Sequence, residues 1–130
     1  MRDMKNGKIQ TFTDLQTWKE GHSLVLMIYT ATKAFPQRES FSLVDQLRRA
    51  VTSITSNIAE GFGRQSYKEK IQFYYLSQGS LEEVKNQLLI ARDVGYITKE
   101  LYESLLEQSN ITHQLLQGLI HKSKTFIQNK

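Results

Sequence analysis

The stretch Gln46–Arg64, QLRRAVTSITSNIAEGFGR, decides the fold. Placed at about 100° per residue, Leu47, Ala50, Val51, Ile54 and Ile58 fall on one arc of about 120°, which Leu43 and Val44 extend upstream. This is the pattern of a helix that buries a single stripe. The neighbouring arc holds Arg49, Ser53, Ser56, Asn57 and Glu60, with Gln46 at its margin. A helix made only for packing has no need of them. The spacing predicts a helix over 42–60 that starts near Phe41 or Ser42. Gly61 and Gly63 end it, with Gly61 assigned the left-handed C-terminal position that residues with a Cβ resist.

Three more helices follow from the same reading. Thr13 or Asp14 can cap the first, over 14–34. Leu15, Trp18, His22, Val25, Tyr29 and Thr32 form its stripe, widened by Leu24, Ile28 and Phe35, and Pro36 stops it. Ser66 caps the third, over 67–93, with Glu69 in the capping-box position, and Gly95 closes it. Phe73, Leu76, Leu81, Val84, Leu88, Ala91 and Val94 make its main face, joined by Tyr74. Thr98 caps the fourth, over 98–126, whose stripe is Leu101, Leu105, Leu115, Leu116, Leu119 and Phe126. Gln108 and Thr112 interrupt that stripe. No acid follows Glu107, whereas Lys122, Lys124 and Lys130 remain. Residues 1–11 read as a flexible leader and 12–127 as one domain. Four amphipathic helices with short links predict an all-α, up-down-up-down antiparallel four-helix bundle.

Composition excludes several classes. The chain has no cysteine, so disulfides, thiol catalysis and thiolate metal sites are ruled out. One proline and scattered glycines argue against a many-turned β fold. The formal charge of +4 permits contact with nucleic acid without requiring it. The longest apolar run, Leu24–Tyr29, is far short of a membrane span. A polar N-terminus without a signal-peptide core points to a cytoplasmic protein with no membrane partner.

The stretch from Gln46 to Arg64, followed by a Ser-initiated helix and by GSLEEVKNQLLIARDVGYI at Gly79–Ile97, resembles the bacterial four-helix-bundle family of 23S rRNA intervening-sequence proteins. FTDLQTWKEGHSLVLMIYTATKAFP, Phe12–Pro36, is similar to the family's opening. The resemblance implies a closed homo-oligomer, a pentameric ring of bundles. It also implies kinship to the accessory proteins of diversity-generating retroelements, which bind a reverse transcriptase and nucleic acid. It implies no enzymatic activity and no cofactor.

Four groups of residues are candidates for function. Arg49, Ser53, Asn57 and Glu60 share a face. Arg49 and Glu60 stand about three turns apart, too far for an i,i+4 pair, so their partners are expected on another helix, subunit or ligand. A register-setting polar network is the favoured reading over a catalytic set, because no histidine stands close by. Arg48, Arg49, Arg64, Lys68 and Lys70 are expected to cluster at the turn between helices two and three. Tyr67, Phe73, Tyr74 and Tyr75 lie near, as phosphate neutralisation and base stacking require. Ile71, Tyr75, Leu89 and Ile90, off the main face of helix three, are the expected oligomer contacts. His22, His113 and His121 lack metal-ligand spacing, and His22 is placed as a hydrogen-bonded residue at the core edge. Gly61-Phe62-Gly63-Arg64 precedes a helix start but follows no strand, so it reads as punctuation rather than a phosphate loop. The leading expectation is a non-enzymatic oligomer that binds RNA, DNA or a ribonucleoprotein, its partner being nucleic acid or a nucleic-acid-handling protein. The alternative is a protein–protein adaptor ring.

Overall fold

The computed structural model describes residues 8–128. Four helices carry the chain: α1 Gln16–Thr32, α2 Leu43–Phe62, α3 Tyr67–Asp93 and α4 Lys99–Gln128. Among the described residues there is no strand. Each helix packs on two others: α1 and α3 both touch α2 and α4. The core lies between all four, filled by Leu24, Ile28, Leu47, Ile54, Leu81 and Leu105 among others. Each such side chain contributes about 1.5–3 kcal/mol by leaving water.

The start of the bundle is tied down. A short 3-10 turn, Phe12–Asp14, precedes α1. The backbone N–H groups of Gln10 and Thr11 donate to Asp14 Oδ2 at 2.9 and 3.0 Å. Asp14 therefore caps this turn rather than α1, which begins after an extended Leu15. The leader expected over 1–11 is thus anchored at Gln10 and Thr11, and its residues 1–7 lie outside the described residues. At the other end α4 runs to Gln128, so the acid-free tail is helical, and Lys130 lies outside the described residues.

All seven apolar residues assigned to α2 are buried. Its glycine takes a different role from the expected cap. Gly61 is helical and buried, and the left-handed glycine among the described residues is Gly95, with φ 84°. A Cβ on Gly61 would stand 2.7 Å from Tyr74 Cε1 and 3.0 Å from Phe73 Cβ. Gly61 lets α3 approach α2. Gly95 does close α3, with Tyr96 N–H donating to Ala91 O at 2.9 Å and Gly95 N–H to Arg92 O at 3.1 Å, a Schellman ending.

The faces of α1, α3 and α4 depart from expectation where small polar residues enter the core. Leu76, Val94, Leu101, Phe126 and Tyr29 are exposed, whereas Thr17, Gly21, Ser77, Gln87, Ser109, Thr112 and Ser123 are buried. Their hydroxyls are satisfied. Ser77 Oγ donates to Ile54 O at 2.8 Å, across to α2. Ser109, Thr112 and Ser123 donate to carbonyls four residues back. Gln108 does more than interrupt a stripe: its Nε2 donates to Glu20 O and Oε1, both at 2.9 Å, joining α4 to α1.

One α3–α4 contact makes stability depend on pH. Lys85 Nζ lies 2.9 Å from His113 Nδ1, and Glu82 Oε1 lies 3.7 Å from the same nitrogen. The ammonium has only protons to offer, so Nδ1 accepts and the ring is neutral. Burial, then the Lys85 charge, push the His113 pKa down from 6.5, against the weaker pull of Glu82. The unfolded chain therefore takes up this proton before the native one does. Stability from this group is full above the unfolded pKa and is lost as pH falls through the folded pKa. The unfolding temperature of wild type relative to His113→Gln should fall between about pH 7 and about pH 5. A pH-independent difference across that window would rule the assignment out.

Candidate nucleic-acid interface

The five basic residues read as one cluster do not form one. Arg48 and Arg49 sit in the first third of α2, and at 1.5 Å per residue about 24 Å of helix axis separates Arg48 from Arg64. Arg48 turns onto α1: Nε donates to Thr32 Oγ1 at 3.0 Å, and the guanidinium lies 4.6 Å from the centroid of the Tyr29 ring. Arg49 donates to Asp45 Oδ2 at 2.9 Å, one turn back on its own helix.

Arg64, Lys68 and Lys70 do share the α2–α3 turn. Lys70 Nζ donates to Phe62 O at 2.6 Å, taking a carbonyl left unpaired at the end of α2. Burial holds the Lys70 pKa below its ordinary value. Arg64 pairs with Glu60 at 3.2 Å and lies over Phe73 at 4.5 Å. Lys68 is exposed.

The fold adds two lysines that sequence order kept apart. Tyr67 stacks on Phe126, ring centroids 4.7 Å apart, which brings the last turns of α4 to the start of α3. Lys124 Nζ lies 5.4 Å from the centroid of the Tyr75 ring. Lys122 joins Lys70, Tyr67 and Phe126 in lining a cleft of about 220 Å³. One end of the molecule thus presents Lys68 and Lys122 beside the paired rings, with Lys124 next to Tyr75. The signal for Lys122 and Lys124 was the absence of acids after Glu107, but only the packing of α4 on α3 gives it a place.

The polar face of α2 resolves into two ion pairs and one short chain that crosses to α3. Asn57 Nδ2 donates to Ser53 O and Oγ at 2.9 and 3.0 Å, and Ser80 of α3 reaches Ser53 at 2.9 Å. Arg49 goes to Asp45 and Glu60 to Arg64, so each charged residue has a partner one turn away. Glu60 opens onto a shallow depression of about 560 Å³ lined by Ser56, Ala59, Gly63 and Arg64. The lining holds one carboxylate, Glu60, which is paired with Arg64, and no histidine.

The expected oligomer contacts also divide. Ile71 is buried against the bundle, 5% exposed, and cannot serve as a subunit contact. Tyr75, Leu89 and Ile90 are exposed, but Leu89 and Ile90 are consecutive and lie about 100° apart. Ile90 aligns instead with Leu76 and Val94, which are exposed although hydropathy places them on the core face. His22 is exposed and stacks on Trp18 at 4.7 Å, rather than hydrogen bonding at the core edge.

Residues 13–118 match the 23S rRNA-intervening sequence protein family. The chain belongs to that family. A crystal structure of a protein of unknown function from the S23 ribosomal protein family of Bacteroides thetaiotaomicron VPI-5482 is similar. It is 26% identical with a TM-score of 0.75, and the alignment covers 80% of this chain and 97% of that one. No curated protein matches. Family membership therefore brings the four-helix fold without an assigned activity. No helix among the described residues is long and apolar enough to cross a membrane.

Proposed function

We propose that this member of the 23S rRNA-intervening sequence protein family is a non-enzymatic homo-oligomer that binds RNA or DNA through its basic end. The observation that carries the reading is that Lys68 and Lys122 flank the stacked Tyr67–Phe126 pair, with Lys124 beside Tyr75 further along α3. Ammonium groups neutralise phosphates and release counterions, while ring faces accept bases. Residues 12–127 form the bundle unit, and its short links support an up-down-up-down course. The ring of five is carried over from the family resemblance, and several copies of a modest basic surface raise avidity. The polar face of α2, with its charges paired locally, supports the absence of catalysis.

The test is a gel shift against structured RNA and duplex DNA over a range of salt. Binding that weakens steeply with salt is the expected result. No shift at low salt would end the proposal. A protein captured from lysate that survives nuclease, with no shift, would instead support the adaptor ring, for which the exposed Leu76, Ile90 and Val94 provide surface.

A further inference from the structure

We infer that the cleft between the start of α3 and the end of α4 binds a small aromatic carboxylate, with its charge on Lys70 and its ring among the apolar walls. The cleft borders the basic end, but its ligand is a free small molecule and the site stands whether or not nucleic acid binds.

Helical spacing builds the cleft. Tyr67, Lys70 and Tyr74 follow at intervals of three and four along α3, so they share a face. Leu119, Lys122, Ser123 and Phe126 do the same on α4. The two faces meet where Tyr67 stacks on Phe126, and Leu15 and Phe62 complete the walls. The space measures about 220 Å³. An apolar cavity of about 150 Å³ takes benzene, so this one has the size for a single ring bearing a carboxyl group.

Two polar groups in the cleft lack the partners their burial calls for. Lys70 Nζ donates to Phe62 O, which uses one of the three donors of an ammonium. Among the described residues Lys70 has no salt bridge, and no acid lines the cleft. Glu69 and Asp14, adjacent in sequence to Lys70 and Leu15, lie outside the lining, and Asp14 accepts from the backbone of Gln10 and Thr11. Burial lowers the Lys70 pKa, as for a cation drawn out of water without a counterion. Tyr74 is 2% exposed and lines the same cleft, yet nothing among the described residues hydrogen-bonds its hydroxyl. A buried tyrosine hydroxyl ordinarily finds a partner. Ser123, in the same lining, does: it donates to Leu119 O at 2.7 Å. Burial, then Tyr67, push the Tyr74 pKa up to about 12, so at neutral pH its hydroxyl keeps its proton and donates.

Donors without acceptors, beside a cation without a counterion, select an anionic acceptor. A carboxylate only accepts, and it has one oxygen for each of the two donors. Lys70 and Tyr74 are four residues apart, neighbours on the helix face at about 5–6 Å between Cβ atoms. Lys122, exposed and also in the lining, adds positive charge that draws an anion in. Phe62, Tyr74 and Phe126 supply the aromatic surface that favours a ring over an aliphatic body.

The test uses the full chain without nucleic acid and para-fluorophenylacetate as probe, followed by fluorine NMR. Wild type should bind with a Kd of about 0.1–1 mM, within reach of so small a ligand. The neutral para-fluorophenylacetamide, of the same shape, should bind at least about tenfold more weakly. Lys70→Met should weaken carboxylate binding by about ten- to a hundredfold, as expected for loss of a hydrogen bond to a charged group. Tyr74→Phe should weaken it several-fold without lowering the unfolding temperature, because that hydroxyl holds nothing in the fold. Lys68→Ala, a lysine outside the lining, should leave the affinity unchanged. Absence of binding at about 10 mM probe overturns the site. So does equal affinity for acid and amide, a comparison made on wild type that stands even if Lys70→Met does not fold. A loss in Lys68→Ala as large as in Lys70→Met would reduce the effect to general surface charge and overturn it too.

Discussion

Gly61→Val is expected to destabilise the fold by about 3 kcal/mol in urea or thermal unfolding, the upper part of the range for overpacking a core. The added Cβ alone would lie 2.7 Å from the Tyr74 ring and 3.0 Å from Phe73 Cβ. Neither neighbour can yield cheaply. Tyr74 is 2% exposed and enclosed, and Phe73 Cβ moves only with the α3 backbone. Gly61→Ala should lose less, because alanine recovers up to about 1 kcal/mol of helix propensity. Gly79→Ala is the control. Nothing lies within 4 Å of its Cβ position, so it should stabilise by about 0.5–1 kcal/mol. If Gly61→Ala matches the gain of Gly79→Ala, the close approach of α2 and α3 is not where these contacts put it.

Removing Lys68, Lys122 and Lys124 together is expected to have the largest effect on binding. Each phosphate contact is worth about five-fold in affinity at 0.15 M salt by counterion release, so three alanines should weaken RNA or DNA binding about a hundredfold. All three side chains are exposed, so the fold should not change. The slope of log affinity against log salt should become shallower by about three. The control is Arg48→Ala with Arg49→Ala, which removes two charges from the far part of α2 and should lose less. A variant of this second kind that loses as much affinity as the first would move the interface away from the basic end.

The contrast between these two sets of arginines and lysines shows what the amino-acid order could convey. Helix α2 was readable residue by residue because its apolar arc is narrow and uninterrupted. Helices α3 and α4 were readable as helices, but not by face. Ser77, Ser109 and Ser123 fill core positions that hydropathy assigns to solvent, and Leu76 and Val94 are apolar where the bundle leaves them uncovered. Arg48 and Arg64 looked like neighbours because a linear listing hides the length of helix between them. Lys122 and Lys124 looked unrelated to the α2–α3 turn because only the Tyr67–Phe126 stack brings them there. Gly61 carried a double meaning. A glycine near a helix end signals either a left-handed cap or a close crossing, and the identity of the facing residue, here Tyr74, decides between them.

The buried hydroxyls of α4 have a further consequence. Ser109, Thr112 and Ser123 return their hydrogen bonds to their own helix, so no other element depends on their chemistry. What the neighbours register is volume. The distance between α4 and the rest of the bundle is written as residue size. The seam can therefore drift among serine, alanine and other small residues over evolutionary time, and a single large aliphatic substitution would erase the spacing that the sequence stores there.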